Sequence, residues 1–301
     1  MVVTDTSAGR PHAERAHAIL VSGMHRTGTS ALTRVMNLRG LELPRNLLPA
    51  RPNDNDLGFW ESARVIEAHD RFLESIGSAY DDVCPIPPSV FSSPQADEFA
   101  EELEQILRSE YGDSTLFVVK DPRLCRLIPV WLAALERYGA RPSFAITTRN
   151  PLEVAASLRA RNGFSATKSY LLWLRHLLDA ERDSRGFPRV FVSYENLLQN
   201  WVATTDRIAR ELHLLWPRAD HATTLRIEDF LSSQLRHHSF DYSDLQARSD
   251  VAEWVKRAYD VVSRAASGAD ESDSAFFDEI RGEVERADQA YGPLLAQARL
   301  D

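Results

Sequence analysis

The stretch HAILVSGMHRTGTSALTRVMNLRG, residues 17 to 40, constrains this chain more than any other. Its apolar run at 18 to 22 is short and rich in aliphatic side chains, as a buried strand is. Gly23 and Gly28 bracket a turn, and behind it Leu32, Val35, Met36 and Leu38 fall on one helical stripe that stops at Gly40. Strand, glycine turn and helix in that order aim backbone N–H groups and the positive end of a helix at one point, which suits a phosphate. The spacing nearly reproduces the phosphate loop G-x-x-x-x-G-K-[ST], but Thr29 stands at the lysine position, with Ser30 after it. That lysine reaches the terminal phosphates of a nucleoside triphosphate, so this loop lacks the group that makes an ATP or GTP site. Arg26 instead puts a forked cation inside the loop. The plain alternative is an ordinary βα turn with two glycines. Arg26 and the hydroxyls of Thr27, Thr29 and Ser30 weigh against it.

Three more short apolar runs read as strands: LFVVK (116 to 120), SFAITTR (143 to 149) and VFVSY (190 to 194). Each is followed by a helix-like segment, and such alternation predicts an α/β fold with a P-loop-type parallel sheet flanked by helices. Between the first two strands, ESARVIEAHDRFLESIG and PQADEFAEELEQILRSEYG are expected helices, and Ile66, His69, Phe72, Leu73 and Ile76 form the apolar face of the first. The loops around them are rich in Pro, Asp, Asn and Ser, and long loops beside a phosphate cradle are where an acceptor site is expected. Beyond residue 195 the pattern is almost wholly helical, including ENLLQNWVATTDRIARELHLL, SDVAEWVKRAYDVVSRAAS and the acidic DESDSAFFDEIRGEVERADQAYGPLLAQARL. A flexible tail is expected at 1 to 15, then one domain over 16 to 301.

The 35 Lys+Arg and 44 Asp+Glu give a net charge of −9, which argues against a nucleic-acid or anionic-membrane partner. Any anion must then be held by a few local cations. Cys84 and Cys125 have no disulfide, metal or redox spacing, so no metal site is expected. No apolar stretch is long enough to span a bilayer and the N-terminus has no signal-peptide core, so a cytoplasmic protein is expected. Oligomeric state has no signature here.

A second motif lies at TTRNPLEVAASLRARNG, 147 to 163. Arg149 ends a strand, Asn150-Pro151 opens a helix, and positions 150, 153, 157 and 161 share one face of it. Arg149, Ser157 and Arg161 could grip a second phosphate; singly, each would read as a solvated surface residue. The strand end at Lys120-Asp121 has two readings. As a Walker-B strand, Asp121 would hold Mg²⁺. As a cationic strand end, Lys120 would face a leaving oxygen, and the missing loop lysine favours this reading, with Asp121 and Arg123 as a structural pair.

Taken in order, these motifs resemble the sulfotransferases that use 3′-phosphoadenosine-5′-phosphosulfate (PAPS), over about residues 18 to 230. HRTGTS is similar to their 5′-phosphosulfate loop, with Arg26 at the basic position as in the tyrosylprotein branch. RNPLEVAAS is similar to their 3′-phosphate motif, with Arg149 and Ser157 at the right separation, and Arg161 falls where that branch has another arginine. VKDPR resembles the lysine-bearing strand end, and VSYENLL the segment whose tyrosine lies against adenine. The resemblance implies donor contacts from His25, Arg26, Thr27, Gly28, Thr29, Ser30, Arg149, Ser157, Arg161 and Tyr194, PAPS as donor, 3′,5′-bisphosphate (PAP) as product, and no metal. The C-terminal basic-glycine segment of the animal cytosolic enzymes is absent; Ser233 and Arg236 of SSQLRHH are candidate substitutes.

A hydroxyl acceptor also needs a general base. The histidine that the animal cytosolic branch uses has no counterpart in KDPRLCR, whereas Glu61 in GFWES sits where other branches use a glutamate. Its plain reading is an acid at a helix start. Glu67 and His69 are weaker candidates, His69 reading as a packed residue. Arg26, Lys120 and Glu61 are thus the expected catalytic groups. Phe59, Trp60, Tyr80 and PIPPSVF could line an acceptor cavity, or serve local packing. The function implied is sulfuryl transfer from PAPS to a hydroxyl of a small molecule, lipid or glycoside. The rivals are a P-loop kinase or NTPase using Mg-ATP or GTP, and a non-catalytic nucleotide-binding module.

Overall fold

The computed structural model describes residues 15–51, 54, 55, 57–232, 240–268 and 274–298, with side chains as far as residue 292. The expected tail, apart from Arg15, and the candidate contacts Ser233 and Arg236 lie outside the described residues.

Four strands, β1 (Ala16–Ser22), β2 (Leu116–Lys120), β3 (Ala140–Thr148) and β4 (Arg189–Ser193), form one parallel sheet in the order β2-β1-β3-β4. Their register matters most for function. Val21 pairs with Lys120, Ser22 with Ile146, and Thr148 with Ser193, so all four carboxyl ends reach the same edge. The loop after β1, Lys120, Arg149 and Tyr194 therefore start within one crevice, where open α/β sheets bind ligands.

The strands are buried on both faces, which is why they read as near-continuous apolar runs. Ala18, Leu20, Phe117, Val119, Phe144, Ile146 and Phe191 point into one core, and Ile19, Val21, Val118, Ala145, Val190 and Val192 into the other. Helix α1 (Thr29–Leu38) covers the second face, while α2 (Ala63–Ser75), α3 (Pro94–Tyr111), α4 (Leu124–Tyr138), α5 (Pro151–Asn162) and α6 (Ala166–Asp183) cover the first. In the C-terminal third, α7 (Tyr194–Gln199), α8 (Trp201–Glu211) and α9 (His221–Ser232) join α1. Leu245 of the short α10 (Tyr242–Ala247), with α11 (Glu253–Ala266) and α12 (Ser274–Ala298), completes the first layer.

Two boundaries differ from the sequence pattern for visible reasons. The helical stretch from Glu195 onward divides into two helices, because the Asn200 side chain turns to accept from the Ala203 N–H and starts α8 afresh. Tyr194 opens α7 rather than closing β4, because Ser193 accepts from the Asn196 N–H as an N-cap.

Two buried histidines tie this packing to pH. His176 on α6 has Nδ1 2.8 Å from the Leu172 carbonyl, and burial with the nearby Arg126 charge pushes its pKa down to about 3. His17 on β1 lies 2.8 Å from Ser143 Oγ, and burial with Arg141 pushes it down to about 4. In the unfolded chain both protonate near about 6.5, so below that pH the unfolded state binds more protons and stability falls as pH drops. Urea midpoints should fall between about pH 7 and about pH 5, with a shallower slope in His176→Gln and in His17→Gln. An unchanged slope in both variants would contradict this account.

Candidate functional site

The glycine loop is closed by contacts that leave no room for other residues. A Cβ on Gly23 would lie 2.0 Å from Thr147 Oγ1, and its N–H donates to Cys125 Sγ at 2.9 Å. Thr27 Oγ1 donates to the Met24 carbonyl at 2.7 Å and lies 2.7 Å from Thr147 Oγ1. Gly28 has φ 94°, and a Cβ there would meet Tyr194 Cδ2 at 2.4 Å. The tyrosine ring thus lies flush on the glycine that begins α1. Burial pushes the Cys125 thiol up to about 12, so this cysteine serves as a hydrogen-bond acceptor behind the loop rather than as a nucleophile.

In front of the loop is a cavity of about 850 Å³ lined by His25, Arg26, Gly28, Thr29, Ser30, Glu61, Lys120, Arg149, Ser157, Arg161 and Tyr194, among others. Among the described residues, every donor and catalytic residue expected from the sequence lines it except Thr27, whose hydroxyl and N–H are both turned back into the loop. Six cationic side chains among the described residues line it (Arg26, Arg51, Lys120, Arg123, Arg149, Arg161) against three acids (Asp54, Glu61, Asp70). A chain of net charge −9 thus concentrates positive charge at one place.

The arginines are organised from α5. Asn150 caps this helix by accepting from the Leu152 N–H, with Pro151 in its first turn. That sets Ser157 and Arg161 over the loop. Arg26 Nε donates to Ser157 Oγ at 2.7 Å, and Asp54 accepts from both Arg26 (3.4 Å) and Arg161 (3.0 Å). Arg149 donates from Nε to Glu153 at 2.6 Å and from Nη1 to the Arg26 carbonyl at 3.3 Å, and its guanidinium lies 4.9 Å over the Tyr194 ring. Burial and the Arg161 charge lower the Arg26 pKa, a cost that an anion held between them would relieve.

Across the cavity, Lys120 Nζ donates to Glu61 Oε2 at 2.9 Å, to the Phe59 carbonyl at 3.1 Å and to Ser30 Oγ at 3.3 Å. The chain has three lysines, Lys120, Lys168 and Lys256, against 32 arginines, and one of the three is this buried strand end. Burial raises the Glu61 pKa against the opposing charge of Lys120, a direction that brings a carboxylate toward general-base work near neutrality. His25 packs edge-on against Tyr80 with ring centres 5.6 Å apart, and burial and Arg123 hold its pKa well below the usual histidine range.

The remaining candidates fall away from this centre. His69 is buried, accepts from Trp131 Nε1 at 2.8 Å and faces Asp121 Oδ2 at 3.2 Å through Nδ1. Asp121 is wholly buried between His69 and Arg123, which hold its carboxyl well below the usual range in spite of its burial. Glu67 is exposed on α2. Of the expected acceptor-side aromatics, Phe59 lines the cavity, Tyr80 lies under Arg123 at 5.4 Å, and Trp60 under Arg34 at 4.4 Å. The PIPPSVF segment does not line it: Pro88–Ser92 is a 3₁₀ turn, and Ile86, Val90 and Phe91 pack on the core. Asp54, Asn55, Cys125 and Thr147 are site residues that the sequence reading passed over; only the Asp/Asn density of NDND hinted at the first two.

No protein-family model matches the chain, and no curated protein matches it. Among solved structures, it is similar to the sulfotransferase domain from the curacin biosynthetic pathway, at 14% identity and TM-score 0.45 over 82% of this chain and 98% of that one. It is also similar to the sulfotransferase domain of the Synechococcus PCC 7002 olefin synthase, at 15% and 0.41 over 79% and 95%. Sulfotransferase STF1 from Mycobacterium tuberculosis H37Rv matches at 16% and 0.42, over 84% and 77%. At these scores the reading of function rests on the residues of the site itself.

The arrangement can hold two anionic groups, one at the loop and helix end beside Lys120, the other between Arg149, Ser157 and Arg161. One charge-assisted hydrogen bond is worth about 1.5–3 kcal/mol, so Arg149→Ala should weaken binding of adenosine 3′,5′-bisphosphate by roughly 10- to 150-fold in calorimetry. Unchanged affinity would remove Arg149 from the site.

Proposed function

We propose that the protein transfers a sulfuryl group from PAPS to a hydroxyl of a small-molecule, lipid or glycoside acceptor. The observation that carries this reading is the Lys120–Glu61 pair, 2.9 Å apart and lining the same cavity as the phosphate loop, Arg149 and Arg161. A cation and a base in contact are what transfer between oxygens needs. Their contact also sets the order of events: each must leave the other for the reacting groups.

The residues present fit such a donor. Gly28 leaves room for the Tyr194 ring against the loop backbone, and Tyr194 lines the cavity at the adenosine end of such a donor. Arg26, Thr29 and Ser30 would hold the 5′ end, and Arg149, Ser157 and Arg161 the 3′-phosphate. When bound, PAPS supplies the activated sulfuryl group. Lys120 Nζ, freed from Glu61, would donate to the departing oxygen, the work that Mg²⁺ does in phosphoryl transfer. Glu61 would take the proton of the acceptor hydroxyl. Apolar Leu48, Leu57, Phe59 and Ile66 line the cavity and would exclude water from the reacting centre.

A kinase reading needs Asp121 as a metal-binding carboxylate, and His69 and Arg123 already occupy it in the core. The two readings separate by thermal shift with the bisphosphate, PAPS, ATP and GTP, each with and without EDTA. The bisphosphate should stabilise the protein regardless of EDTA; no stabilisation, or strict dependence on Mg²⁺, would sink the proposal.

Glu61→Gln should keep bisphosphate affinity and lose transfer by at least about 10²-fold. For the wild type, turnover should rise with pH through a Glu61 pKa above the ordinary carboxylate range, because the base must be ionised. Lys120, Asp121 and Arg123 are the charges acting on it, and only burial and Asp121 push upward. Strong turnover in the glutamine variant, or a flat acid limb, would remove Glu61 as the base.

A further inference from the structure

The residue between Phe59 and Glu61 has a backbone that its side chain does not favour. Trp60 has φ 59°, a region natural to glycine and an outlier for a bulky aromatic. Such strain persists where the surroundings hold it, and it concentrates at sites that use it. Along an extended chain, backbone carbonyls point sideways while side chains stand roughly perpendicular to them, so the carbonyl of one residue and the side chain two residues on face different directions. Here the carbonyl of Phe59 and the carboxylate of Glu61 meet on a single atom, Lys120 Nζ, at 3.1 and 2.9 Å. The turn at Trp60 is what brings them together.

Both flanks are fixed independently. Downstream, the Glu61 carbonyl accepts from the Leu48 N–H at 2.8 Å, and the Ala63 N–H donates to the Asn46 carbonyl at 2.9 Å. Upstream, the Phe59 carbonyl also accepts from Ser30 Oγ at 3.3 Å. The indole itself lies under the Arg34 guanidinium, 4.4 Å from its ring centre, while its Nε1 is buried without a hydrogen-bond partner among the described residues. The ring is thus held by its face. Arg34 is in turn pinned: its Nη1 donates to Asn37 Oδ1 at 2.6 Å, and Asn37 Nδ2 donates to the Leu41 carbonyl at 2.9 Å. Arg34 stands one turn after Ser30 on α1, so the helix that begins at the phosphate loop also clamps the segment bearing Glu61.

We propose that Trp60 is a positioning residue: its left-handed backbone, clamped under Arg34, aims the Phe59 carbonyl and the Glu61 carboxylate at the Lys120 ammonium. The inference rests on the catalytic reading of that pair. It predicts that the backbone at residue 60 governs the pair more than the indole does. Glycine adopts a positive φ freely, whereas a β-branched side chain resists it.

The test uses the scarcity of lysine. Lys168 and Lys256 are the remaining lysines, both half-buried and outside the cavity, so they serve as internal references for amine acetylation followed by mass spectrometry. In the wild type Lys120 should label slowly relative to both. Trp60→Val should raise its relative labelling by about tenfold or more, because the hydrogen-bonded state opens. Trp60→Gly should restore most of the protection. In parallel, kcat should fall on the order of 10²-fold in the valine variant and recover with glycine, while bisphosphate affinity stays within about twofold. If the valine variant does not fold, Arg34→Met should raise Lys120 labelling in its place. Equal labelling of the valine and glycine variants, whether both protected or both open, overturns the proposal, as does full Lys120 protection in Arg34→Met. Labelling that follows the backbone in a protein with no transfer activity would support the positioning and sink the sulfotransferase reading.

Discussion

The approach of β3 to the start of the glycine loop is the contact on which the rest of the site depends. Gly23 lets Thr147 close to a distance that any Cβ would forbid, and Thr147 then holds Thr27, which in turn closes the loop on Met24. With the loop fixed to β3, the residues that follow β3 come with it. Arg149 reaches the Arg26 carbonyl, and α5 sets Ser157 on the Arg26 side chain. A loop that drifted by one residue would part Arg26 from both Ser157 and Arg149. Parallel register does the same for β2, setting Lys120 level with Val21 and hence beside Ser30.

Electrostatics complete the design. Clustered guanidinium groups repel and lose hydration, and the protein offsets part of this with its own carboxylates, Asp54 between Arg26 and Arg161, and Glu153 under Arg149. These acids keep the cations in one arrangement without a ligand. Lys120 is treated likewise by Glu61. Each cation is thereby preorganised, and a ligand's anionic groups replace contacts the protein already makes, so less is lost in ordering the site.

Much of this was legible in the sequence because it is local. The four strands, the loop and the α5 cap are written in runs of a few residues whose period and turn chemistry are unambiguous, and Asn150-Pro151 announces its helix start. His69 as a packed residue and Asp121 with Arg123 as a structural pair also stand in the structure as read. What escaped depends on long-range contact. Cys125 behind Gly23, Thr147 against Thr27 and Asp54 among the arginines are separated from their partners by 28 to 120 residues. Composition could suggest that an Asp/Asn-rich loop matters, but not which carboxylate turns inward. The PIPPSVF segment misled for the opposite reason: its apolar residues pack on the core, and no local pattern separates packing from lining.

The proposed donor requires one cavity to grip two separate phosphates of a single nucleotide, with no metal between them. Calorimetry with adenosine 3′,5′-bisphosphate, adenosine 5′-monophosphate and adenosine 3′-monophosphate, in EDTA, measures it directly. The account predicts that the bisphosphate binds at least about tenfold tighter than either monophosphate, since each charge-assisted grip contributes about 1.5–3 kcal/mol. Equal affinity for the bisphosphate and the 5′-monophosphate would contradict it, because Arg149 and Arg161 would then hold nothing.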